Sequence, residues 1–281
     1  MKIQKFFQII LLTLLTSTPG FAKNATPSIL NPSLLKSEEV PQMADLILDN
    51  GSICSAALVG PRTILTAAHC VMGNGKFGPV NGKTYKVVLT KNPLYDSDSN
   101  GSSMNIPYDF AAKHDTAVGI LSEDVPGITP LTVTNQAPSL GDTVLTLGAG
   151  SPSYKRQYGY VKTITVSPIG VTVRGFGDKP QIGAPGDSGG PNCLVGLDRK
   201  ILLFGINSTS TREDDWTVRL NWSEAVPYTG GISRAIPEKN QDSDVSFVED
   251  FVNKNSLKVC GINFECDAVY APESASGNLV Q

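Results

Sequence analysis

A chain of 281 residues, 40% hydrophobic and 17% charged, can bury a sizeable core and is not compositionally disordered. Its net charge of -3 and lack of basic clusters leave no electrostatic footprint for nucleic acid. Two histidines and five cysteines with no C-x-x-C pair argue against a zinc site, and no cofactor is implied.

The first 22 residues read as a secretory signal peptide. Lys2 and Lys5 are followed by the apolar run Phe6 to Leu15 and then by the small residues Gly20 and Ala22. The apolar run is about ten residues, half of the roughly 20 needed to cross a bilayer. The mature chain is expected to start near Lys23, in a secreted or periplasmic location where cysteines can pair, with no membrane association after signal removal.

Residues 23–43 are rich in Pro, Ser and Asn and read as a pro-segment or loose arm. From Ala44 the chain breaks into short β-branched and apolar runs bounded by Gly, Asn, Asp and Pro. These are Leu46 to Leu48, Ser55 to Val59, Thr63 to Leu65, Tyr85 to Leu89, Thr116 to Leu121, Thr143 to Leu147, Tyr160 to Val166, Val171 to Val173, Ile201 to Ile206 and Ile232 to Ile236. Many short strands at such spacing predict an all-β barrel or sandwich. Val245, Phe247, Val248, Phe251 and Val252 recur instead at helical spacing after the polar run Gln241 to Asp244, so a single amphipathic helix is expected late in the chain. The body of the domain is expected over 44–258 and a Cys-containing tail, polar and mobile beyond Cys266, over 259–281.

Three segments hold the chemistry: Thr66-Ala67-Ala68-His69-Cys70, His114-Asp115-Thr116-Ala117-Val118, and Gly186-Asp187-Ser188-Gly189-Gly190-Pro191. A serine hydroxyl is a poor nucleophile near neutral pH and needs a base in hydrogen-bond reach. Histidine can take that proton and return it to a leaving amine. A buried carboxylate fixes the imidazole tautomer and stabilises the imidazolium. Attack on a carbonyl creates an oxyanion, which needs backbone N–H donors in a tight turn that no side chain obstructs.

In this order, His then Asp then Ser, the segments closely resemble the trypsin/chymotrypsin-like serine peptidases, and the chain is identified as a secreted, bacterial-type member. The serine of an α/β-hydrolase would precede the acid and the histidine. The resemblance covers roughly residues 44–255. It implies two six-stranded antiparallel β-barrels with a C-terminal α-helix and an active site between the barrels. It further implies His69 as base and acid, Asp115 as its orienter, Ser188 as nucleophile, and the backbone N–H groups of Gly186 and Ser188 as the oxyanion hole. His114, adjacent to Asp115, is read as structural or exposed. The activity implied is endopeptidase cleavage of protein or peptide substrates by a monomer through an acyl-enzyme. The alternative is a catalytically silent protein of the same fold that acts as a binding module.

The resemblance also implies a Cys54–Cys70 bridge beside His69. Such a bridge closes a loop of about 17 residues, for about 3 kcal/mol by chain entropy. Cys193, Cys260 and Cys266 remain, with a bridge from Cys193 into the tail or a local Cys260–Cys266 bridge both open and one thiol left over. The base of the pocket for the side chain before the cleaved bond falls on Ile182, with Gly183, Ala184, Ser208, Thr209, Ser210 and Gly231 as its walls. An isoleucine cannot pair with Lys or Arg, so a shallow apolar pocket is expected. Many members insert a newly cleaved Ile or Val N-terminus toward the Asp before the serine, here Asp187. No I-V-G-G-like sequence stands at the expected distance before Cys54, Ile29-Leu30-Asn31 being nearest in spacing and Val40-Pro41 too close, which leaves open another donor for Asp187 or a different processing site. The run Asp96 to Gly101 matches the start of a calcium loop, but Pro107 stands where its bidentate Glu belongs, which favours an exposed hydrophilic loop.

Overall fold

The computed structural model describes residues 29–30, 33–34, 39–95, 114–149, 156–167, 170–175, 182–183, 186–211, 229–234 and 244–272. The expected signal peptide, the calcium-like run and Ala184 lie outside the described residues.

In chain order the first elements are β1 (Ile29–Leu30), β2 (Ser33–Leu34), β3 (Met43–Leu48), β4 (Ile53–Gly60), β5 (Thr63–Thr66), a 3-10 turn (Ala68–Cys70), β6 (Gly75–Val80), β7 (Lys83–Lys91) and β8 (Ala117–Leu121). Strands β3-β4-β5-β8-β7-β6 close into an antiparallel barrel. The period-2 alternation of β7 explains its place: Tyr85 and Val87 turn into the barrel while Lys86 and Val88 face out. Met43, Leu46, Leu58, Ile64, Phe77 and Leu121 are fully buried inside. Each such side chain contributes roughly 1.5–3 kcal/mol relative to exposure.

The second half contains β9 (Thr143–Gly148), β10 (Gln157–Ser167), β11 (Gly170–Gly175), β12 (Ile182–Gly183), β13 (Pro191–Val195), β14 (Ile201–Thr211) and β15 (Thr229–Arg234). Its sheet runs β11-β15-β14-β13-β9-β10, and the pairing of β10 with β11 brings the two ends together. Strand β2 adds to β10 outside this ring, and β1 pairs with β12. Helix α1 (Asp244–Lys254) follows, with Val245, Val248 and Val252 buried at the predicted spacing. This is the expected all-β double-barrel architecture with a late helix.

Strand β6 has no counterpart in the sequence reading because Gly75, Gly78 and Pro79 break its apolar pattern and Pro is ordinarily an argument against a strand. The ladder absorbs the proline through a register shift between Phe77 and Val80. The expected mobility of the tail is corrected as far as residue 272. Cys260 donates its N–H to Val59 and accepts from Val133, while Val269 accepts from Ile201 and Ala271 donates to Arg199. Val259, Val269 and Ala271 are buried, so this stretch packs against both barrels as part of the core.

Candidate active site

The ends of β5 and β8, the turn before β13 and the middle of β14 converge between the barrels. His69 sits on the 3-10 turn that follows β5, with its side chain 28% exposed. Asp115 lies just before β8 and is completely buried. One oxygen of its carboxylate accepts the backbone N–H of His69 at 2.8 Å, and the other lies 2.7 Å from His69 Nδ1. Ser208, on β14, donates its hydroxyl to that second oxygen at 2.5 Å. The carboxylate is therefore held from both barrels, and its contact at Nδ1 leaves Nε2 as the ring nitrogen for further chemistry.

Ser188 is half-buried in the turn at 186–189. Its carbonyl accepts the N–H of Ser55 at 2.7 Å and lies 3.9 Å from the sulfur of Cys70, the residue after His69. The turn needs glycine at two points: Gly186 has φ 100° and Gly189 φ 81°. A Cβ at Gly189 would also overlap the hydroxyl of Thr66 and the carbonyl of Ser55. Asp187 is buried with its carboxylate against Gly148, where a Cβ would overlap it.

Two side chains that the sequence reading did not assign to the turn support it. Asn207 on β14 accepts the N–H of Gly189 at its backbone carbonyl (2.7 Å) and donates its own N–H to Gly190 (2.8 Å). Its amide nitrogen donates to the carbonyls of Asp187 and Leu147, both at 3.2 Å. Its amide oxygen accepts from Asn192 at 2.9 Å and Thr146 at 3.3 Å. Ser55 on β4 donates its hydroxyl to the carbonyl of Gly186 at 2.9 Å and accepts the N–H of Ala149 at 2.8 Å. No motif signals such roles, because each partner is far away in the chain.

The remaining expected site residues divide as follows. Ile182 and Gly183 form β12, paired with Leu30 and Ile29 respectively. Thr209 and Ser210 lie on β14 opposite Gly231 and Gly230 of β15. Ser208, expected as a pocket wall, directs its hydroxyl to Asp115. His114 does not compete with His69. It occupies a left-handed turn position with φ 57°, and its Nδ1 lies 3.5 Å from Asp244 at the start of α1.

Cys54 and Cys70 form a disulfide that ties β4 to the His69 turn. Cys260 and Cys266 form the local bridge, which selects between the alternatives left open by the sequence. Cys193 is the leftover thiol, buried on β13, where desolvation pushes its pKa up.

The double-barrel fold is shared by proteins of known structure. The chain resembles a G175Q mutant of human heparin binding protein (CAP37) with 18% identity and a TM-score of 0.56, over 80% of this chain and 95% of that one. It resembles mouse neuropsin, a serine protease expressed in the limbic system, with 19% identity and a TM-score of 0.56, over 81% of this chain and 99% of that one. In sequence it is 24% identical to human Kallikrein-4 over 205 residues, 63% of this chain and 76% of the relative. The model of the family described as Trypsin matches residues 34–219, well over half of the chain. The chain belongs to the trypsin family of serine proteases.

Proposed function

We propose that this protein is a secreted or periplasmic serine endopeptidase that hydrolyses peptide bonds through an acyl-enzyme. The observation that carries the reading is the contact of His69 Nδ1 with the fully buried Asp115 at 2.7 Å, in a chain whose Ser188 carbonyl lies beside Cys70. A binding scaffold has no physical need for a buried carboxylate aimed at a partly exposed imidazole in a chain that also carries a serine on a glycine turn.

In this mechanism the Ser188 hydroxyl attacks the scissile carbonyl as His69 Nε2 takes its proton. The N–H groups of Gly186 and Ser188 receive the oxyanion. The imidazolium then passes the proton to the leaving amine, and water repeats the sequence to release the acid product. Asp115 keeps the imidazole in the tautomer that makes Nε2 the base, and Ser208 keeps Asp115 in place.

Ile182 argues for small or medium apolar side chains before the cut and against Lys or Arg. A peptide library whose cleavages are dominated by Lys or Arg would overturn that preference.

An active-site titration tests the activity. With p-nitrophenyl acetate the mature protein is expected to release a burst of about one nitrophenol per chain, followed by slower turnover, and Ser188→Ala is expected to release none. A wild-type protein without burst or turnover would favour the binding-module reading.

A further inference from the structure

We propose that Ser55 is a positioning residue for the oxyanion turn, fixing the backbone of Gly186 through its side-chain hydroxyl. The inference rests on the peptidase reading above and names a part of that site which the motifs do not contain.

Ser55 is fully buried on β4, a strand of the closed first barrel, in register with Asp45 of β3. Its hydroxyl has one proton to give. That proton goes to the carbonyl of Gly186 at 2.9 Å, and a lone pair accepts the N–H of Ala149 at 2.8 Å. Being used in both senses, the hydroxyl has a fixed orientation. The backbone N–H of the same residue donates to the carbonyl of Ser188 at 2.7 Å. One residue on a rigid strand thus holds the carbonyls on both sides of Asp187.

Gly186 is the member of the turn that most needs holding. At φ 100° it occupies a region open to glycine, and glycine can leave it by rotation about either backbone bond at little steric cost. The Gly186 carbonyl lies in the peptide plane shared with Asp187 and the Gly186 N–H in the plane before it, so pinning the carbonyl anchors one of the two planes that meet at the Gly186 Cα and narrows the directions open to the N–H. An oxyanion hole works only if its donors are already aimed when charge develops. Asn207 supports the other end of the turn through Gly189, Gly190 and the Asp187 carbonyl but makes no hydrogen bond to Gly186 among the described residues. Among the described residues the side chain that holds the Gly186 carbonyl is Ser55.

The test compares wild type with Ser55→Ala and, in case alanine traps an unpaired Ala149 N–H, with Ser55→Gly, which leaves room for a water. Three readings are taken: kcat and KM on a peptide ester, inhibition by phenylboronic acid, whose tetrahedral adduct occupies the oxyanion hole, and amide hydrogen exchange of residues 186–190. The expected result is a kcat about tenfold to a hundredfold lower, with KM within about twofold. Boronate affinity should fall in parallel, and exchange should accelerate at residues 186–190. A variant that folds with unchanged kcat and unchanged exchange in the turn, whatever its melting temperature, overturns the assignment. Should wild type lack an acylation burst, the peptidase reading fails while the exchange comparison still decides whether Ser55 orders the turn.

Discussion

Ser208 donates its hydroxyl to the same Asp115 oxygen that lies against His69 Nδ1, at 2.5 Å from one side and 2.7 Å from the other. The second barrel thereby sets the position of an acid that belongs to the first, and Ser208 joins the site as its fourth polar member. Removing the hydroxyl leaves Asp115 buried with one hydrogen bond fewer to a charged group, a loss of about 1.5–3 kcal/mol. Ser208→Ala is expected to lower kcat by about tenfold. Asp115→Asn, which changes the tautomer of His69, is expected to lower it by about ten-thousand-fold. Steady-state kinetics on one ester substrate reads both, and equal effects of the two substitutions would refute the ranking.

Asp45 gives the fold a pH dependence that can be signed in advance. It is 3% exposed, and burial raises its pKa from 3.8 to about 7, the nearby Arg156 charge offsetting only part of the desolvation. The folded state therefore holds the proton more tightly than the unfolded one. The resulting stability is fully present below pH 3.8 and is lost as pH rises through about 7. The full span is on the order of 4 kcal/mol at 1.36 kcal/mol per unit. Asp45→Asn cannot ionise, so it should gain on wild type steadily between pH 4 and pH 8. Guanidinium midpoints across that range check this, and a difference between the two proteins that does not change with pH would contradict it.

The cysteines separate into two kinds of behaviour. The Cys54–Cys70 bridge closes a loop of 16 residues' separation, so replacing both by Ala should cost about 3 kcal/mol by loop entropy, read from urea midpoints. Cys193 is buried with its pKa pushed up by desolvation, so the thiolate is scarce and out of reach. Ellman's reagent should find no thiol in the native protein and one after unfolding in denaturant without reductant. Rapid reaction in the native state would place Cys193 elsewhere.

The helix and most strands were legible in the sequence because each buries one face against a uniform core, which imposes a period. Tyr85 and Val87 on β7, and Val245, Val248 and Val252 on α1, are examples. The His69, Asp115 and Ser188 motifs stood out for a different reason: the proposed acyl transfer would demand those side-chain types, and the turn demands Gly186 and Gly189. What escaped depends on contacts between distant parts of the chain. Strand β6 holds Pro79 only because its ladder shifts register there. Ser55 and Asn207 look like ordinary strand residues until β4 and β14 are brought up to the 186–190 turn. Cys260 could be paired with Cys266 only once the tail was seen to fold back over Val59 and Val133.

The central claim is that Ser188 is a nucleophile activated by His69. It is tested most directly by intact-mass and peptide mapping of the mature protein after reaction with a fluorophosphonate. The expected result is a single adduct, located on Ser188, that is absent from Ser188→Ala and strongly slowed in His69→Ala. No adduct on wild type under conditions that fully label a control serine protease, or an adduct that persists in Ser188→Ala, would contradict it.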